Sequence, residues 1–308
     1  MRFFPEEQVR QLTDVDEVIR GLRAAFARDF ASTLLMPVRT SLPIAGGVLL
    51  LMPAFDSAMN AAGVKIVTVT GAGVNAAYEF LDATTGQILA RMEANWLTDV
   101  RTAAASAVAT DLLARPDAEV LGVFGCGRQA AAHLAVLPRV RKFRRLLVCG
   151  KSHTAAATFC AKLKQERGIQ PEPVDAETCV RESHVICTCT TSRVPLFAGR
   201  ILRAGTHLNL VGAFQPESRE IDDETARRSR IVVDTYDGAL NEAGDILVPL
   251  QSGVINKQQI VADLHEICSG KKQGRVTPDD VTMFKSVGCA LEDLVTAQLI
   301  YSRAEGPA

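Results

Sequence analysis

The sequence predicts an α/β protein in which a Rossmann-like dinucleotide-binding region follows a region of antiparallel sheet. Three observations carry this. The stretch LGVFGCGRQAAAHL (121–134) runs from apolar residues through a glycine-punctuated turn into alanines. From about residue 118 onward, short apolar runs alternate with helical patterns, as in a parallel α/β sheet. Before that point four β-like runs follow one another with no segment long enough for a helical crossover, so they are expected to pair antiparallel.

Taken in order, TDVDEVIRGLRAAFARDF places Val15, Val18, Ile19, Leu22, Ala25 and Phe26 at helical spacing, with Thr13 as N-cap. GVLLLM, VKIVTVT, AYEFLD and QILARM are the four strand-like runs, separated by Pro, Gly, Asn and Thr-Thr-Gly turns. TAAASAVATDLLA (102–114) is rich in helix formers and stops before Pro116. Beyond it, VLGVFG and RLLVCG read as strands, and RQAAAHLAVLPRV and TAAATFCAKLKQERG as helices. HVICTCTT, THLNLVGA and RIVVDTY suit buried parallel strands, and alternation in the first sends Cys187 and Cys189 to one face. The tail SVGCALEDLVTAQLIYSRA is amphipathic, with Val287, Ala290, Leu291, Leu294 and Val295 on one stripe. The pattern leaves open which domain this tail completes.

A chain of 308 residues suggests about two domains. Its 34 basic and 35 acidic residues nearly cancel, so no global field draws in nucleic acid or an anionic membrane. The eight cysteines form no CxxC and the five histidines are dispersed, so neither a disulfide framework nor a metal site is expected. MRFFPEEQ carries no hydrophobic leader and no run is long enough to span a bilayer, which together predict reduced thiols in a cytoplasmic protein.

The turn at 125–130 has the context a dinucleotide site needs: a strand before, a helix after, and a second strand ending at Cys149, about twenty residues on. Gly125 permits the tight turn and Gly127 the close approach of backbone to pyrophosphate. Ala130 stands where the motif needs only close helix–sheet packing. Arg128 and Gln129 open the helix, whose N-terminal N–H groups suit phosphate oxygens. Dinucleotide sites for NAD end the second strand with a carboxylate for the ribose 2′-hydroxyl. Here Lys151 and Ser152 follow instead, which favours NADP(H) over NAD(H), with Arg128 as a second cation. A solvated loop lysine is the other reading of Lys151. Cys126 reads as a small turn filler rather than a reactive thiol.

Several stretches together resemble the ornithine cyclodeaminase / μ-crystallin family over nearly the whole chain. They are MPVRTSLP (36–43), GVKIVTV (63–69), LTDVRTAAASAVAT (97–110), GCGRQA (125–130), HLNLVGAFQPESREID (207–222) and MFKSVGCALEDL (283–294). The resemblance implies a Rossmann-like domain (116–289) inserted between parts of an α+β substrate and dimerisation domain (1–115 with 290–308). It implies a homodimer, a nicotinamide cofactor and small amino-acid or imino-acid substrates. Arg39, Lys65 and Arg101 match the family positions that hold the substrate carboxylate, a task suited to guanidinium forks and a lysine point charge. Lys65, which needs a partner on the apolar strand GVKIVTV, is the catalytic candidate as well, as a group that can help keep an imine protonated beside its main task of bonding the carboxylate. Thr190, Asn209, Val211, Ser286 and Val287 match positions lining cofactor or substrate.

Two departures from the family's cyclodeaminases bear on the reaction. Phe214 stands where those enzymes carry an Asp, and Leu50 where they carry a Glu. Neither side chain can take a proton from an ammonium group or activate water. A ring that already contains its C=N bond is, once protonated, a ready hydride acceptor and has less need of a carboxylate base. The leading expectation is therefore NADPH-dependent reduction of Δ1-pyrroline-2-carboxylate or Δ1-piperideine-2-carboxylate, with Phe214 packing the ring. Ornithine cyclodeaminase or an amino-acid dehydrogenase remains the alternative, and an NADPH-dependent small-ligand binder a second. Asp245 reads as a turn cap, and Glu292 and Asp293 as a solvated face or a salt-bridging pair.

Overall fold

The structure, a computed structural model, describes residues 1–30 and 32–306. It divides into two compact units, Met1–Thr102 with Gly288–Ala308, and Ala103–Val287. The first unit holds β1 (Arg2–Phe4), α1 (Glu6–Leu12), α2 (Val15–Ala27), β2 (Leu34–Leu35), β3 (Thr40–Ile44), β4 (Gly47–Asp56), β5 (Ala61–Thr70), β6 (Gly73–Asp82) and β7 (Ile88–Glu93). Helix α3 (Asn95–Leu113) follows, and the division between units falls inside it. The change of sequence pattern near residue 116 marks the end of this helix, whereas the contacts divide at residue 102.

β4 to β7 pair antiparallel in sequence order, as the absence of crossover segments predicts, within a sheet ordered β1-β7-β6-β5-β4-β2, with β3 on β4. β1 joins β7 in parallel. Alternation along β4, β5 and β6 turns Met52, Ala54, Lys65, Val67, Tyr78 and Phe80 to the buried face. Each large apolar side chain buried there contributes about 1.5–3 kcal/mol. Asp14, not Thr13, caps α2: its Oδ1 accepts from the N–H of Asp16 (2.9 Å) and Glu17 (3.1 Å). Thr13 instead closes α1, its hydroxyl donating to the Val9 carbonyl. The C-terminal helix (Ala290–Glu305) belongs to this unit and packs on α2, where a Cβ at Gly21 would lie 3.1 Å from Leu299.

The second unit begins with β8 (Val120–Phe124), α4 (Arg128–Val136), β9 (Arg145–Cys149), α5 (His153–Arg167), β10 (Glu172–Pro173), α6 (Ala176–Glu182) and β11 (Val185–Thr188). It continues with β12 (His207–Leu210), α7 (Asp223–Arg228), β13 (Ser229–Val233), α8 (Tyr236–Glu242), α9 (Gly244–Gln251), β14 (Ile260–Asp263), α10 (Leu264–Cys268) and β15 (Val281–Lys285). All its strands are parallel, in the order β10-β9-β8-β11-β12-β15-β13-β14. The chain winds outward from β8 through β9 to β10, then returns to β11 on the other side of β8. Such a reversal opens a crevice at the carboxyl ends of the two inner strands. β10, β14 and β15 have no counterpart in the strand reading above; the first two are short, and VTMFK in β15 hides a lysine among apolar residues. Among the described residues, no helix is long and apolar enough to cross a membrane.

Candidate active site

In the first unit, Lys65 sits mid-strand in β5 opposite Met52 on one side and Tyr78 on the other. Its side chain is 1% exposed, and its Nζ donates to Asp293 Oδ1 at 2.8 Å. Arg101, on α3, is buried beside it, with Nη1 2.6 Å from Glu292 Oε2 and Nε 3.0 Å from Asp293 Oδ1. Arg39 is half-buried and donates to the Gly288 carbonyl at 2.9 Å. Gly288 itself adopts φ +82°, and a Cβ there would lie 2.3 Å from Arg101 Nη1. The three cations matched to the substrate carboxylate thus lie in one unit and are held by the first turn of the C-terminal helix and the residues just before it.

This setting divides the cations electrostatically. Burial disfavours the charge on Lys65, the Arg101 charge adds to that effect, and Asp293 only partly opposes it, so the ammonium pKa falls to about 8. Burial also disfavours charge on Arg101, but Asp293 and Glu292 outweigh it and keep the guanidinium above its ordinary range. Arg101 is therefore a permanent charge and Lys65 a group able to give up a proton near neutrality. Tyr78 is fully buried; burial, with the charge of Asp293, pushes its phenol well above the usual range.

Glu292 and Asp293 are not a solvated face. Both are fully buried, and of the two earlier readings the salt-bridging one holds. The available signal was their place within the apolar run ALEDLV, flanked on both sides by residues that are buried. Leu50 is 7% exposed and shares the sheet face of Lys65, one pair along: Leu50 lies opposite Val67, and Met52 opposite Lys65. The position of the cyclodeaminase Glu is thus apolar in fact as well as in identity.

In the second unit, β8 ends in the glycine turn. Gly125 has φ +118°, a left-handed region that favours glycine, and a Cβ there would lie 2.5 Å from the Cys189 carbonyl oxygen. Gly127 is the N-cap of α4 without a side-chain cap bond, and a Cβ there would meet nothing within 4 Å. The backbone is thus bare where a pyrophosphate would approach, with Arg128, Gln129 and Ala130 forming the first helical turn beyond it. These residues fit a nicotinamide dinucleotide. Burial raises the Cys126 thiol pKa, which supports its reading as a turn filler.

Lys151 and Ser152 are exposed at the end of β9, and the Ser152 hydroxyl oxygen accepts from Ala155 N–H as the cap of α5. Thr190 and Val211 follow β11 and β12, and Ser286 follows β15. Val287 is buried, its N–H donating to Asp234 Oδ2 at 2.7 Å. Asn209 lies inside the unit: its amide donates to Thr110 Oγ1 (2.9 Å) and accepts from the His207 ring (3.2 Å). Its contacts support the strand rather than a ligand surface. Phe214 is half-buried against the apolar core of this unit.

Residues 3–307 match the model of the ornithine cyclodeaminase/mu-crystallin family. The chain belongs to that family. It is 34% identical to a Δ1-pyrroline-2-carboxylate reductase of Bacillus cereus, over 96% of this chain and 94% of the relative. To ketimine reductase mu-crystallin of Mus musculus it is also 34% identical, over 97% and 96% of the two chains. The structure of the Thermococcus litoralis Δ1-pyrroline-2-carboxylate reductase, solved with NADH and L-proline, superposes with a TM-score of 0.95. That protein is 36% identical, with 99% of this chain and 98% of the other covered. An archaeal alanine dehydrogenase dimer with bound NAD is 32% identical, with a TM-score of 0.92 and 99% and 96% coverage. The family fold, with its nicotinamide-binding α/β region, is therefore that of this chain.

Proposed function

We propose that this protein is an NADPH-dependent reductase of a small cyclic ketimine carboxylate, Δ1-pyrroline-2-carboxylate or Δ1-piperideine-2-carboxylate, yielding the cyclic amino acid. The observation that carries the reading is the group of buried Lys65 and Arg101 with half-buried Arg39, on a sheet face where Leu50 is apolar. It offers charge for one carboxylate and no acidic group for a cyclodeamination at that position. Whole-chain likeness to Δ1-pyrroline-2-carboxylate reductases supports it.

Arg101 and Arg39 bind and orient the substrate carboxylate, and Lys65 adds a third positive charge. Lys65, with its pKa near 8, is also suited to keep the imine nitrogen protonated, which makes the adjacent carbon a hydride acceptor. Phe214 and Val287 supply apolar surface for the ring. Gly125, Gly127, Arg128, Gln129 and Ala130 would hold the cofactor pyrophosphate, with Thr190, Val211 and Ser286 nearby in the binding crevice. Lys151, Ser152 and Arg128 would hold the 2′-phosphate that distinguishes NADP(H). A bound reduced nicotinamide supplies the hydride. The protein's own contribution is positioning and fixed charge.

The direct test incubates the purified protein with NADPH and Δ1-pyrroline-2-carboxylate, and separately with L-ornithine and NAD+. Oxidation of NADPH in the first is expected; its absence, with proline formed from ornithine, would overturn the reading. For the cofactor, Lys151→Asp is expected to weaken NADPH far more than NADH. Equal losses would remove the 2′-phosphate role. A homodimer is part of the same proposal: β3 is exposed along its length and presents Leu42 and Ile44, an apolar edge suited to a second copy. Sedimentation at micromolar concentration checks this, a monomer counting against it.

A further inference from the structure

Beneath the carboxyl ends of the parallel strands lies a buried polar group centred on Glu220, which is not among the expected site residues but bonds one of them, Thr190. Glu220 is fully buried, yet every side of its carboxylate is engaged. Oε1 accepts from the Thr190 N–H (2.8 Å) and the Thr190 hydroxyl (2.6 Å). Oε2 accepts from the Thr188 hydroxyl (2.7 Å) and the Gly212 N–H (2.8 Å). One side chain therefore grips the end of β11, the residues just beyond it, and those just beyond β12.

The grip is itself anchored. Asp245 Oδ1 accepts from the Glu220 N–H at 2.6 Å and the Ile221 N–H at 3.2 Å, while its Oδ2 accepts from Lys285 Nζ at 3.0 Å. Asp245 and Lys285 are fully buried too, so Asp245 ties Glu220 to β15 rather than capping an exposed turn. Gly212 leaves no room for a side chain: a Cβ there would lie 2.1 Å from the Thr190 carbonyl oxygen and 2.5 Å from Glu220 Oε1.

The segment so held meets the glycine turn directly. The Cys189 N–H donates to the Phe124 carbonyl at 2.8 Å, and the Cys189 carbonyl faces Gly125 closely enough to exclude any Cβ. Cys189 lies between Thr188 and Thr190, both fastened to Glu220. The strand reversal between β8 and β11 places this segment on one wall of the dinucleotide crevice and the glycine turn on the other.

We propose that Glu220 is a positioning residue for cofactor binding, setting the wall formed by residues 188–190 and 212 against the glycine turn. It rests on the assignment of a nicotinamide cofactor to this unit. A carboxylate is required because four donors converge on its two oxygens. An amide can place its oxygen on only one pair, and its NH2 must then face the N–H of Gly212 or of Thr190.

Glu220→Gln keeps the volume and tests this. The dissociation constants of NADPH and NADH are read by quenching of protein fluorescence and by calorimetry, alongside steady-state kinetics. The variant is expected to bind its preferred cofactor at least tenfold more weakly. Its KM for the imine at saturating cofactor should stay within about threefold of the parent. Thr188→Val, which removes one of the four donors, should weaken cofactor binding by a smaller factor. Ile231→Val, a core change in β13 that touches none of these groups, controls for lost stability and should leave cofactor affinity within twofold. Unchanged affinity in Glu220→Gln, or an equal loss in Ile231→Val, would overturn the role of Glu220. If the parent protein binds neither NADPH nor NADH, the cofactor assignment falls first and the proposal with it.

Discussion

Replacing Lys65 with methionine is expected to make the protein more stable and less active. Lys65 is 1% exposed, and its pKa drops from 10.5 to about 8 through burial, then the Arg101 charge, with Asp293 in partial opposition. Each pKa unit corresponds to about 1.4 kcal/mol, so holding this ammonium in the folded state costs about 3 kcal/mol at pH 7. Methionine fills a similar volume but leaves the buried Asp293 carboxylate without its hydrogen bond, which costs about 1 kcal/mol. Asp293 keeps its ion pair with Arg101, whose Nε lies 3.0 Å from Oδ1. The net gain expected for Lys65→Met is about 2 kcal/mol at pH 7. The sign with pH follows from the lowered folded pKa. Below about pH 8 both states are protonated and the whole cost is present. Between about 8 and 10.5 the folded protein releases the proton first, so the parent gains stability as pH rises and the advantage of the variant shrinks. Urea unfolding of both proteins at pH 7 and pH 10 measures this. A variant less stable than the parent at pH 7, or an advantage that does not shrink by pH 10, would refute the reasoning.

Carboxylate binding should weaken above about pH 8 as Lys65 loses its charge; tetrahydrofuran-2-carboxylate, which has no amine to titrate, reads this, and a constant affinity to pH 9.5 would contradict it. Gly63→Ala would set a Cβ 2.3 Å from the Tyr78 hydroxyl oxygen, so it should destabilise the first unit by about 1–3 kcal/mol through overpacking, measured by urea unfolding. The two glycines of the turn should separate stability from binding. Gly125→Ala strains a left-handed residue against Cys189 and should lower both thermal stability and cofactor affinity. Gly127→Ala meets no protein atom within 4 Å, so its melting temperature should stay near the parent's while cofactor affinity falls at least tenfold in calorimetry.

The parts of this architecture that were legible in the sequence are those with a strong local period or a special backbone demand. Four antiparallel strands follow from alternation and short turns, and the glycine turn from Gly125 and Gly127 between a strand and a helix. The buried acids were less legible, because their meaning depends on partners far along the chain. Asp293 meets Lys65 across 228 residues and Glu292 meets Arg101 across 191, distances no window pattern spans. Lys285 in VTMFK carries the same signal as Lys65 in GVKIVTV, a lysine on an apolar strand, but its partner Asp245 lies 40 residues away in a segment that reads locally as a turn. Asn209 shows the reverse limit. A matched position proved to be an interior amide, since its place on β12 is set by Thr110 and His207.

The placement of Lys65 at the middle of a ten-residue strand, rather than on a loop, has a thermodynamic consequence. A free lysine side chain gives up about 2 kcal/mol of rotational freedom when it is immobilised. Here Asp293 and the sheet around it have already taken that freedom during folding. In the role proposed for Lys65, a carboxylate arriving at this ammonium would meet a charge whose ordering belongs to the fold and not to the binding event. Ligand association is thereby spared an entropic penalty that a flexible surface lysine would impose each time it bound.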